Sequence, residues 1–211
     1  MPNWLDTYKH NYYPRLDANL SGAKRGLAEG LGQRARGFEL MFELLLAKTQ
    51  SQYHIVETGT CRNPGNWKDG QSAVIFTDFV QHTGGSLRSV DIDPAACATA
   101  RKHITSDLFQ VTCSDSVQWL EQQTDLAQVD LFYLDSYDVK WNNDSASAEH
   151  HLREFQTIEP RIQPGTVVAI DDNARFLNNG TRTGKGRRIV EYLESNGIQP
   201  LYDAYQIIYQ L

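Results

Sequence analysis

The sequence predicts an α/β fold: a mostly parallel seven-stranded sheet with helices on both faces and one antiparallel C-terminal strand. Three observations carry this. From residue 53 onward, short β-branched or apolar runs alternate with helix-periodic segments, as repeated strand–helix–strand units require. The last two apolar runs, IQPLY and YQIIYQL, are separated only by Asp203 and Ala204, too short a link for a parallel crossover, so they form an antiparallel hairpin. The chain has 211 residues, a length that one α/β core can hold.

Taken in order, residues 1–50 form an N-terminal helical cap segment, aromatic-rich up to Pro14 and then helical with Phe38, Met41, Leu44 and Leu45 on one face. Residues 51–211 form the main domain, with strands expected at 53–57, 86–91, 108–112, 129–135, 166–171, 198–202 and 205–211. Helix-like spacing fills the intervals at 71–82, 94–104, 116–123, 145–159 and 185–195; in the fourth, Ala148, Leu152 and Phe155 share a side. LNNGTRTGKG is polar and glycine-rich and reads as a mobile loop.

Composition narrows the function classes. Hydrophobic residues are 40% and charged residues 22%, ordinary for a globular chain. A net charge of -6 disfavours nucleic acid and anionic membrane as partners and favours a small-molecule ligand. Cys61, Cys97 and Cys113 are widely spaced, without a C-x-x-C pair, and read as reduced intracellular thiols. The N-terminus lacks a secretory pattern, and the most apolar stretch, FELMFELLLA, carries two glutamates and is too short to span a bilayer. A cytoplasmic protein is expected.

In open α/β sheets, ligands bind beyond the carboxyl ends of the strands, where strand order reverses. Glu57, Asp91, Asp135 and Asp171 each end a predicted strand, and Asp115 follows another. After Glu57, Gly59 permits a tight turn, and Ser72 opens a helix whose amides can meet polar groups. The run Gly59, Thr60, Cys61, Arg62 is not the glycine fingerprint of dinucleotide sites. Asp91 suits a ribose diol, because a carboxylate can accept both hydroxyl protons. The competing role for Asp91, capping the helix at Pro94, suits Asp93 at least as well. Asp115 and Ser116 either contact adenine or simply cap their helix.

These residues resemble the class I S-adenosylmethionine-dependent methyltransferases, whose fold is Rossmann-like, over about residues 53–211. The likeness rests on the acidic-x-Gly loop, the ordered strand-end acids and the terminal hairpin. It implies S-adenosylmethionine as cofactor, held by Glu57, Gly59, Thr60, Ser72, Asp91, Asp115 and Ser116. YLDSYDVKW and AIDDN are further similar to the metal-dependent O-methyltransferases of the catechol, caffeoyl-coenzyme A and macrocin types. That likeness implies a divalent cation, most simply Mg²⁺, on Asp135, Asp171 and Asp172, with Asp135 catalytic. Matching a literal Asp-Asn pair would instead choose Asp172 and Asn173. Adjacent carboxylates repel, and a hard cation relieves the repulsion while lowering the pKa of a substrate hydroxyl. The alternative is a solvent-facing Asp171, a turn-capping Asp172 and an Asn173 suited to a left-handed turn.

Where the catechol-type enzymes carry a lysine base, this chain has Asp138, so the base is unassigned. His150 and His151 are expected as solvated helix-face residues. Arg182, Lys185, Arg187 and Arg188 suggest either a basic loop for an anionic substrate or a solvated one. Trp67, Trp141, Tyr12 and Tyr13 are candidates for apolar walls over the site or for core packing. The function expected is metal-assisted O-methylation of a small hydroxylated acceptor, sugar or catechol-like. Residues 1–50 would then shape the acceptor pocket or a homodimer contact. Rival readings are N- or nucleic-acid methylation without metal, disfavoured by the absence of an Asn/Asp-Pro-Pro-Tyr motif, a nicotinamide dehydrogenase, and a ligand-binding module without turnover.

Overall fold

The structure, a computed structural model, describes residues 3–17, 25–69, 71–175 and 181–211. Its sheet has the strand order β3-β2-β1-β4-β5-β9-β8, from β1 (Tyr53–Thr58), β2 (Gly85–Asp91), β3 (Phe109–Cys113), β4 (Leu131–Leu134), β5 (Val167–Ile170), β8 (Tyr202–Asp203) and β9 (Ile207–Gln210). The first five strands pair in parallel, and β9 runs antiparallel to both β5 and β8. Strand order therefore reverses between β1 and β4, which opens a crevice at their carboxyl ends.

Alternating side chains feed two cores. Ile55, Leu87, Leu131, Tyr133 and Val167 meet α3 (Arg25–Ala47) and α4 (Ser72–Thr83) through Phe38, Phe42, Phe76 and Phe79. Val56, Val90, Phe132, Leu134 and Val168 face the other way, toward α6 (Ser116–Gln122), α7 (Ser145–Ile158) and α8 (Arg187–Ser195) through Leu120, Phe155 and Ile189. The result is three layers, helices on each side of one sheet. The short α1 (Trp4–Asn11) and α2 (Tyr13–Asp17) and the Tyr12 between them add Trp4, Tyr8, Tyr12 and Leu16 to the first core, so the N-terminal segment shares its packing with the sheet. Tyr12 also donates to Asp78, and its ring lies 5.9 Å from Trp67.

Some elements differ from expectation. The strand expected at 198–202 is only Tyr202–Asp203, because Pro200 has no N–H for a ladder, and residues 204–206 complete the turn. The expected loop over 177–186 contains β7 (Arg182–Gly184), paired antiparallel with β6 (Asn173–Arg175); positions 177–180 of that expected loop lie outside the described residues. The α5 helix (Pro94–His103) begins with Asp93 capping Ala95 and proline in its first turn. Cys61, Cys97 and Cys113 are free thiols. Among the described residues, no helix is long and apolar enough to cross a membrane.

Candidate active site

The crevice between the tips of β1 and β4 begins at Gly59, whose φ of 89° suits glycine. A Cβ there would sit 2.8 Å from the Asp135 carbonyl oxygen, so the β1 turn passes directly against the end of β4. Gly59, Thr60, Arg62, Ser72, Asp91 and Asp135 line the near part of the crevice. Asp91 also lines an adjoining cavity of about 170 Å³ with Val90, Ile92, Asp115, Ser116 and Tyr137. Two features there fit a nucleoside bearing an amino acid. Ile92 and Tyr137 expose 71% and 46% of their surface beside polar walls, suiting the flat face of a base. Thr60 Oγ1 is buried with no partner among the described residues, so it has a hydrogen bond to give.

Each residue proposed for the cofactor has a definite place. Asp91 is partly buried; burial raises its carboxyl, and the Asp93 amide donates to it at 2.8 Å. Capping of α5 falls to Asp93, which leaves Asp91 facing the crevice. Asp115 caps α6, accepting from the Gln118 amide at 3.0 Å, and still lines the cavity. Ser116 Oγ lies 2.9 Å from His150 Nε2. Glu57 is 1% exposed and lies behind the crevice wall, accepting hydrogen bonds from Ser72 and, at 2.7 Å, from Ser89. Burial pushes its carboxyl up to about 8, with the two serine hydroxyls opposing.

At the ends of β4 and β5, Asp135, Asp171 and Asp172 converge, each offering an oxygen within 4.8 Å of the others. Asp172 adopts φ 53°, a left-handed conformation rare outside glycine, asparagine and aspartate. Asn173 is buried, its side-chain amide donating to the Ile170 and Asp171 carbonyls while its Oδ1 accepts from the Gly186 amide at 2.7 Å. That amide thus staples the turn.

The cluster carries its own cations. Lys185 Nζ donates to the Asp135 carboxylate and lies 2.9 Å from Asp172 Oδ2. Arg34, from α3, meets Asp171 at 2.7 Å and Asp172 at 3.5 Å, and stacks over the Tyr205 ring at 4.6 Å. The Tyr205 hydroxyl donates to Asp172. Burial alone would raise Asp172, but Lys185 and then Arg34 hold it well below the usual carboxylate range. Burial raises Asp135 and Asp171, against Lys185 for the first and Arg34 for the second. As folded, these residues do not fit a resident divalent cation, because an ammonium already bridges two of the three acids.

Several expectations change here. Lys185 is buried, Arg187 pairs with Asp144 at 2.9 Å, Arg182 with Asp203 and Arg188 with Glu191 at 3.0 Å, so the basic stretch is internally neutralised. The histidines are not solvated. His151 is fully buried, and burial pushes it down to about 4. His150 lies 3.3 Å from Glu154, a buried residue that accepts from Thr58 Oγ1 and Ser136 Oγ and so ties the tips of β1 and β4 together. Asp138, which stands where the catechol-type enzymes carry a lysine, pairs with Arg62 at 2.9 Å. Gln71, in a left-handed conformation before α4, bonds the Asn63 carbonyl and the Gly65 amide and fixes the loop after β1. Gln71 and Arg34 carry no sequence signal beyond being polar; the glycines flanking Lys185 were the available clue to its burial.

Sheet order, the switch-point crevice and the strand-end acids together define an S-adenosylmethionine-dependent methyltransferase of class I. Residues 56–173 match the family described as a methyltransferase domain, and the chain belongs to that family. No curated protein sequence matches it significantly. Among solved structures, it is similar to the MycE methyltransferase of mycinamycin biosynthesis in complex with Mg and SAH, with 14% identity and a TM-score of 0.58 over 94% of this chain and 54% of that one. The chain thus spans about half of MycE's length. It is also similar to CalS11, a TDP-rhamnose 3'-O-methyltransferase of calicheamicin biosynthesis (14% identity, TM-score 0.56, 100% of this chain and 95% of that one). An rRNA methylase from Streptococcus thermophilus gives 12% identity and a TM-score of 0.50 over 82% and 95%. At these identities the likeness is one of fold.

Proposed function

We propose that the chain transfers a methyl group to a hydroxyl oxygen of a small hydroxylated molecule, a sugar or a catechol-like phenol. The supporting observation is adjacency: Asp135 belongs to the acid cluster and also lines the crevice shared with Thr60 and Asp91. When bound, S-adenosylmethionine supplies an electrophilic methyl carbon, which the acceptor oxygen takes as the carbon–sulfur bond breaks with its electron pair on sulfur. In this reading Asp91 accepts the ribose hydroxyls, Asp115 and Ser116 meet the adenine, and Ile92 and Tyr137 cover its faces. Gly59, Thr60 and Ser72 receive the amino-acid end, with Glu57 fixing Ser72 from behind. Asp135, whose side chain keeps 23% of its surface exposed, holds the acceptor hydroxyl and takes its proton. In a metal-assisted reaction Asp171 and Asp172 would be the other ligands, but Arg34 and Lys185 engage them, so no step here runs through a metal. CalS11, a TDP-rhamnose 3'-O-methyltransferase of the same fold, supports oxygen as the acceptor atom.

Isothermal calorimetry with S-adenosylhomocysteine, followed by radiolabelled methyl transfer to a panel of sugars, phenols, amines and RNA, tests the reading. Binding, with transfer to a hydroxylated small molecule, is expected. No heat at protein concentrations suited to micromolar affinity, or transfer only to amines or RNA, would overturn it.

A further inference from the structure

We propose that Lys185 is the resident cation of the Asp135–Asp171–Asp172 cluster, so that this member of the family orients its acceptor without a divalent metal. The inference rests on the reading above that the acceptor meets the chain at this edge. A metal shared by Asp135 and Asp172 would need oxygen ligands at about 2.0–2.6 Å. That space is taken by Lys185 Nζ, which bonds the Asp135 carboxylate, lies 3.3 Å from the Asp135 carbonyl oxygen and 2.9 Å from Asp172 Oδ2, and leaves the lysine side chain 1% exposed. The third acid is turned to a different cation, Arg34, at 2.7 Å.

The backbone is shaped to deliver this lysine. Gly184, at φ 123°, passes so close that a Cβ would overlap the Asp172 carbonyl oxygen. A Cβ at Gly186 would sit 2.8 Å from Asn173 Oδ1 and 2.9 Å from Ile207 Cδ1. The Lys185 amide donates to the Asp172 carbonyl at 3.2 Å, and Asp172 takes its left-handed turn to aim its carboxylate back at the ammonium. Gly-Lys-Gly is therefore a two-sided close approach that drives a fixed positive charge into the acids. Two fixed cations face three carboxylates, and Asp135, the acid open to the crevice, keeps its acceptor role. Lys185 acts through Asp135 and is a positioning residue.

The test is a Mn²⁺ titration of metal-stripped wild type, Lys185→Ala and Lys185→Met, read by the paramagnetic resonance signal of free Mn²⁺, with S-adenosylhomocysteine calorimetry in parallel. Wild type is expected to take up no stoichiometric Mn²⁺ below about 1 mM, whereas removing the ammonium creates one site at least about tenfold tighter. Methyl transfer by wild type should be unchanged in excess EDTA. Lys185→Met keeps the aliphatic stem and serves if the alanine variant does not fold, and the wild-type titration is decisive without either. The inference is overturned by micromolar Mn²⁺ binding to wild type that Asp135→Asn abolishes, by EDTA-sensitive turnover, or by folded Lys185 variants that gain no site. Loss of S-adenosylhomocysteine binding would instead strike the proposed function, since Lys185 does not line the cofactor cavity.

Discussion

The two ends of the crevice are built on opposite electrostatic plans. At the tips of β2 and β3, acids are held by near neighbours in sequence: Asp91 by the Asp93 amide, Asp115 by the Gln118 amide, and Asp93 by capping Ala95. Asp91 and Asp115 remain partly open to a cavity, as a site awaiting a polar ligand should. At the tips of β4 and β5, acids are held by cations from elsewhere in the chain, Arg34 for Asp171 and Lys185 for Asp135 and Asp172, and three of those five side chains, Arg34, Asp171 and Lys185, are sealed almost completely. The first end therefore leaves acids open to the crevice, whereas the second already holds two cations against its three acids. Acids in a row at a sheet edge are one pattern in sequence and two different devices in space.

The sharpest way to break this contrast is to remove a built-in cation. Arg34→Met would leave Asp171, 1% exposed, as a buried carboxylate with no arginine, a loss of about 3–5 kcal/mol. For a chain of this size that lowers the melting temperature by about 10 °C. The double variant Arg34→Met with Asp171→Asn should recover most of the loss, because it removes the unpaired charge with its partner. Cutting the exposed Arg62–Asp138 pair by Asp138→Asn should cost under about 1 kcal/mol. Differential scanning calorimetry of all three decides it: equal losses from the two single variants would erase the distinction between the ends.

A second contrast lies within the cofactor end, between open Asp91 and sealed Glu57. Burial lifts the Glu57 carboxyl from 4.5 to about 8, so between those values the folded chain keeps a proton that the unfolded chain has released. Folded stability should then fall as pH rises through that window, by up to about 1.4 kcal/mol per unit from this group, and level off above it. Glu57→Gln holds the neutral shape at every pH, so its denaturation midpoint should lose that slope and exceed wild type most clearly near pH 8. Parallel wild-type and variant profiles would show that Glu57 is ionised throughout.

What the sequence revealed follows the same division. The strand–helix alternation, the terminal antiparallel pair and the row of acids were legible, because periodicity and strand-end position are local properties. Asp93 as the α5 cap was legible for the same reason. Arg34 was not: it sits in an amphipathic helix like any surface arginine, and only packing of α3 on the sheet carries it to Asp171. His151 reads as a helix-face histidine until α7 docks and buries it. Lys185 lay in plain view inside a Gly-Lys-Gly triplet, but a glycine-rich basic run is also how a solvated loop is written. The close approach that requires those glycines exists only once β6 and β7 pair.

The smallest expected effects separate binding from capping at the cofactor end itself. Asp91→Asn keeps the size of the side chain and one acceptor oxygen but loses the charge. Since Asp93 does the capping, stability should stay within about 0.5 kcal/mol while S-adenosylhomocysteine affinity drops about tenfold. Asp115 carries both duties, so two substitutions are needed. Asp115→Ala removes the cap and should cost about 1 kcal/mol of stability, whereas Asp115→Ser retains a cap-competent oxygen and should restore it. If Asp115 also meets the adenine, both variants should weaken S-adenosylhomocysteine by a similar two- to threefold, less than a charged ribose contact because adenine offers only neutral groups. If Asp115 is only a cap, affinity should follow stability, lost in the alanine variant and regained in the serine. Calorimetric titration beside thermal melts of the same preparations distinguishes the two, since one predicts that affinity and stability part company and the other that they move together.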